Sequence, residues 1–157
     1  MVDTMQVVSF KLGSEEYGVD IAQVQEINRM VAVTHVPRAP QFMEGVINLR
    51  GQLIPIIDLR TRFGMPRAEH TKNTRIVVTE IASKRVGMVV DSVSEVLRLP
   101  NDAIEDAPEM ITGVDTEYIR GVGKIEDRLI IMLDLARVIS SAERHELETA
   151  DMEVATA

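Results

Sequence analysis

The amino-acid sequence predicts an all-β fold built twice over. Three observations predict it. First, GVINLRGQLIPIIDL (45–59) recurs as GVGKIEDRLIIMLDL (121–135). Gly45/Gly121, Val46/Val122, Leu53/Leu129, Ile54/Ile130, Asp58/Asp134 and Leu59/Leu135 are identical at a constant offset of 76, without a gap. Second, GVDIAQVQEI (18–27) matches GMVVDSVSEV (87–96) at an offset of 69, with Val24/Val93 and Glu26/Glu95 shared. The change of offset places an insertion in the second copy, between Leu97 and Tyr118. Third, the apolar residues come in short β-branched runs separated by turn residues. The chain is two related halves of about seventy residues each.

Taken in order, 5–12 reads as a strand, 13–16 as a turn and 17–21 as the return strand. Residues 24–30 are assigned as a further strand by analogy with 92–97, and 31–36 is another β-rich run. Pro37 and Pro40 bracket a loop, because proline brings no N–H to a ladder. The central hairpin then turns at Arg50-Gly51. Pro55, inside its second strand, predicts an edge or a bulge on one side. Asp58 fits a helix N-cap, Gly64 fits a left-handed stop and Pro66 prevents continuation, so a single helical turn is expected. The polar stretch 67–73 reads as the linker between the halves.

The second copy repeats the plan. It has a hairpin at 75–81 and 86–90, a strand at 92–99, an acidic insertion at 100–117, and a hairpin at 118–125 and 129–133. Asp134 then caps a helix expected over 135–147, with Leu135, Val138, Ile139 and Ala142 on one stripe. From Glu148 the chain is acidic and rich in small residues, and disorder is expected at 148–157.

A free-standing unit of about 60–70 residues buries little core. With no cysteine in the chain nothing covalent supports it, so the halves are expected to share a core. The aromatic residues are only Phe10, Tyr17, Phe42, Phe63 and Tyr118. That core is therefore Val, Ile, Leu and Met, as suits packed sheets. Seventeen basic against 25 acidic residues give a net charge of −8, which argues against a polyanionic partner. No apolar run approaches the roughly 20 residues that cross a bilayer, and no signal peptide precedes Val7. A cytoplasmic protein is expected.

Nothing in the sequence assembles a catalytic or metal centre. His35, His70 and His145 lack ligand-spaced neighbours. The glycines form no phosphate loop, and no Ser, Cys or Thr stands in a nucleophile motif. The acidic pairs Glu15-Glu16 and Glu105-Asp106 lie in turns, where solvation rather than acid/base chemistry is expected. Met88 and Met132 sit in apolar strands and read as core. Two charges stand out instead: Glu26, inside VQEI, and Arg50, at the tip of NLRG. They are either ordinary strand-end charges or a pair presented to a partner, since an exposed pair adds only about 0–1 kcal/mol of stability. Glu95 repeats Glu26, but Glu126 stands at the position of Arg50. Pairing is therefore expected in the first half alone.

At VQEI, EGVINLRG and IPIIDLR, together with FKLGSEEYGVDIAQVQEI, RVGMVVDSVSEVL and DRLIIMLDL, the chain resembles the CheW family of bacterial chemotaxis adaptors. The likeness spans residues 7–143. Five short strands and a helical turn per half suit a small barrel. The resemblance makes the expected fold two tandem five-stranded SH3-like β-barrels packed together, with a short C-terminal helix: one domain over 1–147, with barrels at about 5–70 and 74–134. It implies no enzymatic activity and no cofactor or metal. It implies a scaffold coupling the cytoplasmic tips of methyl-accepting chemotaxis receptors to the regulatory domain of the histidine kinase CheA, within receptor arrays. A specialised paralogue serving another receptor–kinase pathway is the alternative. The chain is too short for CheA itself or for an adaptor fused to a receiver domain. Its charge and scarce aromatics weigh against a nucleic-acid-binding barrel.

The resemblance also implies roles for particular positions. Glu26 and Arg50 match the family's acidic and basic pair. Val24, Gly45, Leu49, Gly87, Val93 and Val96 match positions lining or supporting the groove where the receptor helix docks. Ile21, Ile27 and Val33 are expected at the kinase interface, on an exposed apolar end of the first barrel, with a weaker ring-closing contact on the second.

Overall fold

The computed structural model describes residues 3–105, 116–140 and 143. Eleven strands are present among them: β1 (Thr4–Leu12), β2 (Glu15–Asp20), β3 (Val24–Arg29), β4 (Met43–Leu49), β5 (Gln52–Asp58), β6 (Arg75–Ile81), β7 (Lys84–Val90), β8 (Ser92–Pro100), β9 (Ile104–Glu105), β10 (Ile119–Ile125) and β11 (Arg128–Leu133). Two short helices, α1 (Leu59–Arg62) and α2 (Leu135–Val138), follow β5 and β11. Each is capped as expected. The Asp58 carboxylate accepts from Arg60 N at 2.9 Å and that of Asp134 from Ala136 N at 3.2 Å.

The strands make two sheets, in the orders β3-β6-β7-β5-β4 and β8-β1-β2-β11-β10-β9. The first rolls into barrel one when the chain after β3 returns to β4 through the Thr34↔Val46 bridge. The second rolls into barrel two when β8 runs through a 3-10 turn into β9, which pairs with β10. The run at 31–36 is thus an extended segment with one bridge, not a full strand. The first part of the insertion supplies β9, its last residues 116–117 begin a 3-10 turn, and 106–115 lie outside the described residues.

These sheets divide the chain differently from the expected barrels at 5–70 and 74–134. Hairpin β1–β2 of the first copy pairs with β8 and β11 of the second. Hairpin β6–β7 of the second copy pairs with β3 and β5 of the first. The copies have exchanged their N-terminal hairpins, and the registers show the exchange to be symmetric. Val24↔Thr79 corresponds to Val93↔Phe10, and Ile56↔Gly87 to Met132↔Gly18. The chain passes between barrels at the 3-10 turn Ile21–Gln23 and at Asp91. The stretch 67–73 links the two sequence copies, as expected, but the strands on either side of it both belong to barrel one.

Alternation along the strands sorts the apolar residues into three clusters. Ile47, Ile54, Ile56, Ile76, Val78 and Val89 fill barrel one. Val7, Leu99, Ile130 and Met132 fill barrel two. The largest cluster lies between the barrels and draws on both, with Val77, Ile81 and Met88 from one side and Val8, Phe10, Ile131 and Leu133 from the other. Leu135, Val138 and Ile139 of the predicted stripe are buried in it. The helix itself is shorter than expected, because Ile139 turns to extended backbone at φ −127°, ψ 105°. A capping box follows: Ser140 N donates to Glu143 and Glu143 N to Ser140 Oγ, at 3.0 and 3.2 Å. Ala142 and the expected tail at 148–157 fall outside the described residues. Pro55 is buried in β5, just before the three residues that pair with β7, so its missing N–H leaves no gap in that ladder.

Ionic contacts fix the crossover. Asp91 accepts from Arg60 at both oxygens, 2.8 and 2.5 Å, and from Gly13 N at 2.8 Å. Hydrogen bonding from Arg60, aided by Gly13 N, holds the carboxyl below the usual aspartate range. A depressed folded-state pKa stabilises the protein above the unfolded value, near 3.9, and that contribution is lost as pH falls through the folded value. The stability gap between the wild type and Asp91→Asn should therefore narrow as pH drops below about 4. Urea midpoints at pH 7, 4, 3 and 2 test this, and a constant gap would contradict it.

Candidate functional site

Arg50 and Gly51 form the turn of the β4–β5 hairpin. Their φ values of 51° and 82° are both left-handed, as a type I′ turn requires. Asn48 Oδ1 accepts from Gly51 N at 2.9 Å and holds the turn. This geometry throws the Arg50 side chain outward, 70% exposed, onto Glu26 of β3 at 2.5 Å. The expected pair is thus formed, between a hairpin tip and an edge strand. Because it is exposed, it stabilises the fold little.

The second half departs from expectation. Glu126 occupies the turn at φ 53° and does not pair with Glu95. Arg128, two residues on, does so instead at 2.7 Å, and also meets Glu16 at 2.5 Å. Its hydrogen bonds to Glu16 and then to Glu95 hold the guanidinium charged. Barrel two therefore carries its own charged group, in a ratio of two acids to one base. The repeat alignment missed it because the cation shifted position across the turn.

Cross-strand partners place the apolar candidates. Val24 and Ile27 stand opposite Thr79 and Val77, on the outer face of β3, with a bulge between Val24 and Glu26. Val93 and Val96 stand opposite Phe10 and Val8, on the outer face of β8. Val24 and Val93 are half-buried against the interbarrel cluster, whereas Ile27 and Val96 are 40% and 51% exposed. One apolar strip per barrel therefore borders the shared core. Leu49, next to Arg50, is half-buried against the interior of barrel one.

Gly45 and Gly87 are buried and act through what they lack. A Cβ on Gly45 would strike the Thr34 carbonyl, and one on Gly87 would strike Ile56 and Ile76. Neither position has room for a side chain. The three kinase-face candidates do not gather on one exposed end. Ile21 packs against the interbarrel cluster and Val33 against the interior of barrel one; only Ile27 is exposed. Two further aliphatics are exposed, Val31 at 48% and Leu129 at 47%, and neither stands out as a surface residue in the sequence. Leu129 shares a hollow of about 540 Å³ with Val122, Ile131 and the Glu16–Arg128 pair. Among the described residues no group of His, Cys, Asp and Glu could hold a metal, and no helix is long and apolar enough to cross a membrane.

Among the described residues, the Glu26–Arg50 pair and the aliphatic strips border the interbarrel core. A family model described as "CheW-like domain" matches residues 6–143. The chain belongs to the CheW-like family. It is 43% identical to the chemotaxis protein CheW of Klebsiella aerogenes over 134 residues, covering 85% of this chain and 81% of that one. It is 34% identical to the CheW of Bacillus subtilis, covering 85% and 86%. The crystal structure of the scaffolding protein TtCheW from Thermoanaerobacter tengcongensis superimposes with a TM-score of 0.81 at 37% identity, over 91% of this chain and 92% of that one. This CheW-like chain is a coupling adaptor of chemotaxis signalling.

Proposed function

We propose that the protein is a non-catalytic, cytoplasmic bridge between the tips of methyl-accepting chemotaxis receptors and the regulatory domain of the histidine kinase CheA. The observation that carries the reading is the Glu26–Arg50 pair set beside the outer strip of β3, where exposed and half-buried aliphatics border the interbarrel cluster. An amphipathic receptor helix can lay its apolar side on Val24, Val93 and Val96 and meet the charges with its polar side. Leu49 backs Arg50, while Gly45 and Gly87 keep the supporting strands close. The kinase takes the end of barrel one around the exposed Ile27, and barrel two carries the weaker contact that closes a ring. Two partners on one compact body are coupled only if one of them binds differently in the two signalling states.

Calorimetric titration with the CheA regulatory domain and with a receptor-tip fragment tests the bridge. Saturable binding of both near one to one is expected. Binding of neither, with all proteins folded, would sink the proposal and point to another receptor–kinase pathway. Arg50→Glu places two like charges together at an exposed tip, so the fold should change by less than about 1 kcal/mol. Receptor-tip affinity should fall about tenfold or more. Unchanged affinity at an unchanged circular dichroism spectrum would remove Arg50 from the site.

A further inference from the structure

We propose that barrel one also carries a phosphoryl-binding pocket, where β3 ends and β6 begins. Arg29 closes β3 and Arg75 opens β6, and the antiparallel register sets them directly opposite each other. Like charges so placed destabilise a sheet unless something neutralises them. Among the described residues, no carboxylate does. Arg29 makes no ion pair, and Arg75 Nη1 donates only to the carbonyls of Lys72 and Thr74, at 2.8 and 2.9 Å. Lys72 is a third cation that has no carboxylate partner among the described residues. By contrast Arg50, Arg60, Arg62, Arg67 and Arg128 each face a glutamate or an aspartate.

The three cations line one hollow of about 480 Å³, together with Thr71, Asn73 and Met30. The loop that carries Lys72 is fixed by its own bonds. Thr71 N donates to Thr74 Oγ1 at 2.8 Å, Asn73 N to Thr71 Oγ1 at 3.1 Å, and Thr74 N to Thr71 O at 3.1 Å. The Arg75 guanidinium is anchored to that loop along one edge, which leaves its remaining N–H groups for a ligand. The site is thus set in advance, within a chain whose net charge is −8.

The pairing of two guanidinium groups selects the ligand. A carboxylate has one charge and one plane, and satisfies one guanidinium fork. A phosphoryl group carries up to two charges and three tetrahedral oxygens, and can engage both forks. The ligand is free phosphate or a phosphorylated side chain of a partner; the chemistry is shared. No residue of this pocket belongs to the surface assigned to the receptor or the kinase.

The test is an amide-resolved NMR titration of the full chain at constant ionic strength. Inorganic phosphate, sodium acetate and a phosphoserine peptide with neutral flanks are added separately, against sodium chloride as the reference. Phosphate should give saturable shifts at Arg29 and at 71–75, and Arg29→Gln and Lys72→Gln should each weaken them about tenfold. Both side chains are exposed, so both variants fold, and their spectra report it. Tighter binding of the peptide would assign the site to a phosphorylated partner, and equal binding would assign it to the free ion. Shifts no larger than those with chloride, shifts indifferent to both variants, or acetate binding as well as phosphate would overturn the proposal.

Discussion

Replacing Gly45 by alanine should destabilise the protein by at least about 3 kcal/mol, and more than the same change at Gly87. Thr34 and Val46 exchange two backbone hydrogen bonds, at 2.8 and 2.9 Å, and these close barrel one. A Cβ on Gly45 would enter the Thr34 carbonyl and lie 2.9 Å from its carbon. Both are backbone atoms, so relief requires the closing segment to move away. At Gly87 the obstructing atoms are Ile56 Cδ1 and Ile76 Cγ2, the first of which can rotate. The expected loss there is about 1–3 kcal/mol. In a chain of this size about 3 kcal/mol corresponds to a fall in Tm of roughly 6–12 °C. Thermal unfolding of both variants decides the order. A Gly45→Ala protein as stable as Gly87→Ala would mean that the bridge does not hold the barrel. Gly121 repeats the arrangement against the carbonyl of Glu105, at 2.8 Å, so barrel two closes in the same way.

Arg62→Ala should destabilise by about 2 kcal/mol, and Arg62→Lys should recover less than half of that. Arg62 leaves α1 of barrel one and donates from Nε to the Val138 carbonyl at 2.8 Å. Its two terminal nitrogens take both oxygens of Glu143, each at 2.7 Å. The Phe42 and Tyr118 rings flank the guanidinium at 5.1 and 5.2 Å. With the side chains of Arg62 and Glu143 only 16% and 20% exposed, truncation strands a carboxylate and a carbonyl in a poorly solvated place. Lysine keeps the charge but neither the planar fork nor the stacking. Urea unfolding of the three proteins measures this, and a loss below about 0.5 kcal/mol would show the clamp to be ornamental. The aromatic residues gather at the same seam: Phe10, Tyr17, Phe63 and Tyr118 follow one another with centroids 5.7–6.0 Å apart. Five aromatics in the whole chain suffice because all of them serve the contact between barrels.

Much of the candidate surface is legible in the sequence. Glu26 and Arg50 were conspicuous as charges in apolar surroundings, and they do pair. Asp58 and Asp134 were legible as caps because capping is a local event with a local signature. The repeat was legible because related halves keep the same residue types at the same spacing. Aliphatic exposure was not. Ile21, Ile27, Val31 and Val33 are alike to any pattern, yet two are half-buried and two stand 40% and 48% exposed. Which of them faces solvent depends on strands far away in the chain. Arg128 escaped for a related reason: a side chain of that length reaches Glu95 from a position the alignment does not match.

The sequence by itself determined most of the strands, the duplication, the aliphatic core and the family. Only the tertiary structure decided which hairpin closes which barrel. Repeat-equivalent positions such as Val24 and Val93 present the same side chain to either partner, so pairing within a copy and pairing across copies satisfy the pattern equally. The connection settles it. One residue, Asp91, separates β7 from β8. To lie beside β6 in its own copy, β8 would have to shift by two strand spacings, about 9.5 Å. The two backbone steps from Val90 to Ser92 span at most about 7 Å. The chain therefore runs on into the other barrel, and the two barrels, each holding a hairpin from the other's copy, fold as one body.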